Sequence, residues 1–160
     1  RLPRAGRGAQ RKVLEVLPAA DAELARAGLA RRPLLLKGSW LHSLYARYVI
    51  DWARSQGAGS VRCERSFGRK TVDLAWENPD GRVTAAEICL SGSPQRTAEQ
   101  LLSGLENAGI ARLIGVFENR QTRDKTGRCL QELDPDRLCA GRYEGVLIGD
   151  IIDSVLERRR

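Results

Sequence analysis

The stretch TVDLAWENPDGRVTAAEICLS, running Thr71–Ser91, decides the fold. Its centre, Glu77-Asn78-Pro79-Asp80-Gly81, is dense in turn-forming residues and separates two runs rich in β-branched and apolar side chains. The pattern predicts two antiparallel strands, Thr71–Trp76 and Arg82–Leu90, joined as a hairpin. Alternation puts Val83, Ala85, Glu87, Cys89 and Ser91 on one side of the second strand, with Thr84, Ala86, Ile88 and Leu90 on the other. On the first strand Asp73 shares its side with Thr71 and Ala75, opposite Val72, Leu74 and Trp76. Two carboxylates, Asp73 and Glu87, thus stand inside apolar strands, where charge is costly unless paired or bound to a metal.

Upstream, Leu41, Leu44, Tyr45, Tyr48, Val49 and Trp52 recur at helical spacing, with Ser39 as a candidate cap and Gly57-Ala58-Gly59 as the stop. Val61, Cys63 and Phe67 alternate with polar neighbours as in a half-buried strand. Downstream, Arg96–Ala108 reads as a helix with Leu101, Leu102 and Leu105 inward, and Leu113–Phe117 as a strand buried on both faces. Thr122–Leu133 reads as a helix, Gly145–Ile148 as a strand and Ile151–Arg160 as a terminal helix. The order α-β-β-β-α-β-α-β-α predicts an α/β domain, a mixed sheet of about five strands flanked by helices. Before it, Arg1–Gln10 is a basic lead, and Lys12–Leu17 and Ala19–Ala30 are short helices broken at Pro18. The expected division is therefore a basic extension over 1–36 and the α/β domain over 37–160.

Lysine and arginine number 27 against 20 acidic residues, a net charge of +7. Such a balance favours a polyanionic partner, above all DNA, because neutralising phosphates releases counterions. Lysine stands only at 12, 37, 70 and 125, so arginine carries the rest; a GC-rich coding sequence produces the same bias. No run nears the roughly 18 apolar residues of a membrane helix. Four scattered cysteines without a CxxC pair fit a reducing, cytoplasmic setting better than a disulfide framework. The chain contains no methionine, which suggests a piece of a longer protein.

A hard cation such as Mg²⁺ or Mn²⁺, held by Asp73 and Glu87, would resolve the cost of two carboxylates in apolar strands and could polarise a phosphodiester. The bland reading is a pair of solvated carboxylates, or ones paired with Arg62, Arg65 or Arg82. Ser91-Gly92-Ser93-Pro94 is a strand-to-helix loop rather than a phosphate loop, as the GxxxxGK[ST] spacing is absent.

Val72-Asp73-Leu74-Ala75, the hairpin and Ala85-Ala86-Glu87-Ile88-Cys89-Leu90-Ser91 resemble the core of PD-(D/E)xK, restriction-endonuclease-like domains. The likeness extends over roughly residues 37–150. It takes in Lys37-Gly38-Ser39-Trp40-Leu41-His42, the helix Thr97–Asn107 and the strand Leu113–Phe117. It is nearest in character to the nuclease-like domains appended to ATPases of the conjugation and type IV secretion kind. The resemblance implies Asp73 and Glu87 as catalytic metal ligands for Mg²⁺ or Mn²⁺. It also implies His42 as a metal-water or phosphate contact, although His42 could equally be a helix-capping residue.

Cys89 occupies the position where the motif carries lysine, a residue that positions the attacking water and offsets charge on phosphate. Three outcomes are open: cleavage lost with binding kept, a migrated cation such as Lys70 standing in, or Cys89 as a small buried residue. Glu64 is either a third carboxylate of the pocket or a solvated partner of an arginine. Arg62, Arg65, Arg69 and Lys70 are the candidate DNA-phosphate contacts, positioning DNA without reading sequence. The function implied is a DNA-engaging domain whose phosphodiester cleavage is weakened or lost; a non-catalytic protein-interaction module of a larger chain is the alternative. A homodimer is compatible with either.

Overall fold

The hydroxyl of Ser39 accepts the His42 backbone N–H at 3.2 Å and so starts the first helix as the sequence predicts. The computed structural model describes residues 39–136 and 141–158. The expected 1–36 extension with its short helices, Lys37, Gly38, Cys139, Arg159 and Arg160 lie outside the described residues. Within them, helices α1 (Trp40–Ser55), α2 (Pro94–Leu105), α3 (Arg120–Leu133) and α4 (Ile148–Glu157) flank five strands. These are β1 (Val61–Phe67), β2 (Lys70–Glu77), β3 (Val83–Cys89), β4 (Arg112–Phe117) and β5 (Tyr143–Leu147). The sheet order is β1-β2-β3-β4-β5, with β1–β2 and β2–β3 antiparallel and β3–β4 and β4–β5 parallel. This is the predicted α/β architecture with its mixed sheet.

Helices α1 and α4 cover one face and α2 and α3 the other. Ala46, Val49, Ile50 and Ala53 of α1 pack with Leu74, Trp76, Ala86, Ile88, Ile114 and Val116. Across the sheet, Ala98, Leu101, Leu105 and Leu130 pack with Val72, Ala75, Ala85, Leu113 and Phe117. The deepest stripe of α1 thus lies beside the one its large side chains predict. Small residues let the helix approach the sheet, while Tyr45, Tyr48 and Trp52 pack at its flanks. Trp52 meets the buried Trp76 edge to face, at 6.5 Å between ring centroids, so Trp76 belongs to the core and is closed to base stacking.

The hairpin from β1 to β2 turns through Gly68 and Arg69, with φ of +60° at Gly68, as a two-residue turn with glycine in its first central position allows. The ladder between them is continuous in register but skips Glu64 and Asp73, and Glu64 holds a left-handed φ of +49°. Opposite this point strict alternation fails. Val72 packs on the α2–α3 face together with Ala75, whereas Leu74 and Trp76 pack on the α1 face. The expected common face for Val72, Leu74 and Trp76 is therefore corrected: the alternation of faces slips between Val72 and Asp73 while the register to β1 is unchanged. On β3 the predicted alternation holds, with Ala85 and Cys89 on one face and Ala86 and Ile88 on the other.

Several element ends differ from the sequence reading, and two of them have a direct physical cause. Helix α2 starts at Pro94, capped by Ser93, because proline is pre-shaped for the first helical turn. Ile148 opens α4 instead of closing β5, burying its side chain with Ile151 against α1.

Strand β4 lies between β3 and β5, buried from Leu113 to Phe117. Its Gly115 pairs with Glu87 and is tightly enclosed: a Cβ there would lie 2.8 Å from Phe117 Cε2 and 3.0 Å from the Tyr143 hydroxyl. Gly115→Ala should therefore destabilise the fold by about 1–3 kcal/mol, read as a lowered urea midpoint.

Candidate active site

Pairing between β2 and β3 runs from Glu77↔Val83 to Leu74↔Ala86 and goes no further, so the strands fork at Asp73. The Asp73 carboxylate fills the fork. Its Oδ2 accepts the Ile88 backbone N–H at 2.8 Å and lies 3.1 Å from His42 Nε2. His42 comes from the first turn of α1, in the opposite layer from α2, so the fork lets both layers reach one point. Glu87 enters from β3, and Lys70 Nζ lies 2.6 Å from its Oε1, an ion pair by distance but without hydrogen-bond alignment. A cavity of ≈ 580 Å³ opens over these groups, walled by Ser39 and His42 on one side and by Arg96 and Gln100 on the other.

The electrostatics follow from this crowding. Burial, then the Asp73 charge, pushes the Glu87 carboxyl up to about 7, against the pull of Lys70. Asp73 is held below the usual carboxylate range: burial alone would raise it, but hydrogen bonds from His42 and the Ile88 N–H outweigh that. His42 is raised above 6.5, chiefly by its hydrogen bond to Asp73. Near pH 7 the centre therefore holds an anionic Asp73 beside a Glu87 close to its midpoint, with His42 biased toward its protonated form. Cys89 is of another kind: burial first, then the Glu87 charge, pushes its thiol up to about 12. It packs against the α2–α3 core with its S–H directed at the Glu87 carbonyl, 3.6 Å away. It is a neutral group at neutral pH.

The structure brings Asp73, Glu87, Cys89, His42 and Lys70 to one cavity. Arg62, Arg65 and Arg69 are not among its lining residues. Arg62 and Arg69 are exposed, and the Arg65 guanidinium sits 4.8 Å from the centroid of the Phe67 ring. Arg82 pairs with Asp80 at 2.7 Å and so is not the counter-ion of either strand carboxylate. Glu64 does not line the cavity, although its charge reaches His42. Among the described residues no group of three or more His, Cys, Asp or Glu side chains is arranged to hold a metal.

Sequence reasoning missed Arg96 and Gln100. The signal for them was Ser93-Pro94, which starts α2 early enough to bring its first turns to the cavity. No family model matches the chain, and comparison with curated proteins finds no match. No helix of the described residues is long and apolar enough to cross a membrane.

Proposed function

We infer that this is a DNA-engaging domain of PD-(D/E)xK-like character with a metal-dependent phosphodiesterase centre at Asp73 and Glu87. The observation that carries the reading is the meeting of these two carboxylates in the strand fork, where burial and then the Asp73 charge raise Glu87 to about 7. A divalent cation between the two carboxylates would favour the ionised form of Glu87 and offset its repulsion with Asp73. The donor set suits Mg²⁺ or Mn²⁺, since such ions are commonly held by one or two carboxylates and complete their shell with water. When bound, the ion supplies Lewis-acid polarisation of the phosphodiester. Asp73 is fixed for the ligand role by the Ile88 N–H, and His42 steadies the same carboxylate from α1. Arg96, at the first turn of α2, offers the cavity a cation for a neighbouring phosphate. Cys89 contributes no charge, which by itself predicts slow cleavage.

The net charge of +7, the exposed Arg62 on β1 and the exposed Arg69 in the turn before Lys70 support DNA as the partner. Unbridged Cys63, Cys89 and Cys129 agree with a cytoplasmic setting, and a homodimer would present two such centres to a duplex. The neutral Cys89 favours one rival, a non-catalytic interaction module in which the fold is only a scaffold. Plasmid and single-stranded DNA incubated with Mg²⁺ or Mn²⁺, with gel-shift binding measured in the same samples over a salt series, separates the two. Binding that weakens steeply with salt, with slow cation-dependent cutting, is the outcome this reading requires. Neither binding nor cutting at low salt moves the assignment to the interaction module.

A further inference from the structure

We propose that Lys70, from the β1–β2 hairpin, supplies the site's phosphate-facing cation in place of the residue at position 89; this rests on the phosphodiesterase reading above. Three observations point the same way. Nζ of Lys70 lies 2.6 Å from Glu87 Oε1, with only 20% of its side chain exposed, so it is committed to the cavity and not to bulk solvent. Cys89 is packed against the α2–α3 core and directs its S–H to a backbone carbonyl, so the position that would carry a lysine is filled by a neutral group.

The third observation is the slip in β2. Across the break between Val72 and Asp73, Val72 and Ala75 both pack on the α2–α3 face, and Lys70 and Asp73 both line the cavity. Residues three apart on a regular strand point in opposite directions. Here the slip brings Lys70 and Asp73 to one cavity with Glu87. The skipped Glu64–Asp73 pairing and the left-handed Glu64 mark the same point on β1.

A phosphodiester held against Asp73 and Glu87 lies beside Lys70 Nζ. In the reaction the water oxygen forms a bond to phosphorus and the bond from phosphorus to the leaving ester oxygen breaks. One proton passes from the water to solvent, and one is taken up from solvent by the departing oxygen. Lys70 remains an ammonium throughout, donating to a non-bridging oxygen whose charge grows as the new bond forms, so its effect falls on the chemical step.

The test compares wild type, Lys70→Ala, Lys70→Arg and Asp73→Asn at pH 8.5 and saturating Mg²⁺ under single turnover, with DNA affinity measured in Ca²⁺ and with Mn²⁺ binding. A second readout is acetylation by acetic anhydride, with and without DNA, scored by mass spectrometry at Lys70 against the exposed Lys125. The proposal expects Lys70→Ala to lower the cleavage rate at saturating metal by roughly 10²–10³-fold while DNA affinity changes by less than about threefold, and Mn²⁺ affinity shifts only as far as loss of the Glu87 ion pair requires. Lys70→Arg should recover at least about a tenth of the rate, since the charge is kept. DNA should shield Lys70, but not Lys125, from acetylation.

Lys70→Ala cutting at the wild-type rate while Asp73→Asn is inactive overturns this proposal alone. Wild type that binds Mn²⁺ at Asp73 but cuts nothing, or Lys70 acetylated equally with and without DNA, also overturns it. Wild type that neither binds Mn²⁺ nor cuts overturns the phosphodiesterase reading and this proposal with it.

Discussion

Glu87→Gln makes the metal-free protein more stable than wild type at pH 8, and the difference disappears toward pH 4. The carboxyl of Glu87 is raised from 4.5 to about 7 in the fold, through burial and the Asp73 charge. A raised value means that the folded state keeps a proton the unfolded chain has already lost. The stability this provides is complete below pH 4.5 and is lost as pH rises through about 7. Above that, an ionised Glu87 sits 15% exposed beside another carboxylate, at a cost on the order of 3 kcal/mol relative to the unfolded chain. Glutamine removes this cost, less what the loss of the Lys70 ion pair takes back. Urea unfolding at pH 8 and pH 4 reads the difference directly. Mg²⁺ should stabilise wild type at pH 8 and leave Glu87→Gln almost unmoved, because the variant lacks the second carboxylate ligand. A variant less stable than wild type at pH 8 would contradict this account of the site's electrostatics.

Asp73→Asn should abolish cation-dependent cleavage, with a loss of at least roughly 10³-fold. The amide is nearly the same size and can still accept from the Ile88 N–H, so the fork is preserved while the charge is removed. The same substitution has a second consequence that is independent of turnover. His42 is the chain's single histidine, so its titration is read from one imidazole signal in an NMR spectrum. In wild type its pKa stands above 6.5, mainly through the hydrogen bond to Asp73, and in Asp73→Asn it should fall. An unmoved His42 titration would mean that the contact of 3.1 Å does not persist in solution.

Much of the fold was legible because its signals are local and redundant. The turn at Glu77–Gly81, the apolar run of β4 and the stop after α1 each have one physical explanation, and all agree on a mixed α/β sheet. Asp73 and Glu87 were legible for a related reason: an anion inside an apolar strand conflicts with its surroundings and so draws notice. His42 was reached through the family resemblance, with helix capping as the equal alternative.

What was hidden depends on the third dimension. Strict alternation turns Lys70 away from Asp73, and only the slip of alternation between Val72 and Asp73 reverses that, so the sequence named Lys70 both as a phosphate contact and as a stand-in cation without placing it at the carboxylates. Nothing in the sequence around Glu64 announces its left-handed backbone. Arg96 and Gln100 reach the cavity only because α2 starts at Pro94 and is carried back over the sheet between two parallel strands. The arginines at 62, 65 and 69 sit close to Asp73 in sequence, yet the hairpin holds them outside the cavity.

The measurement that bears most directly on the central claim is a Mn²⁺ titration followed by electron paramagnetic resonance at pH 8, comparing wild type with Asp73→Asn. The account predicts that wild type removes free Mn²⁺ from solution at a single site, and that Asp73→Asn, folded by circular dichroism, leaves the free-ion signal undiminished. Wild type that leaves Mn²⁺ free, or an Asp73→Asn variant that binds it equally well, would contradict a cation centre built on Asp73 and Glu87.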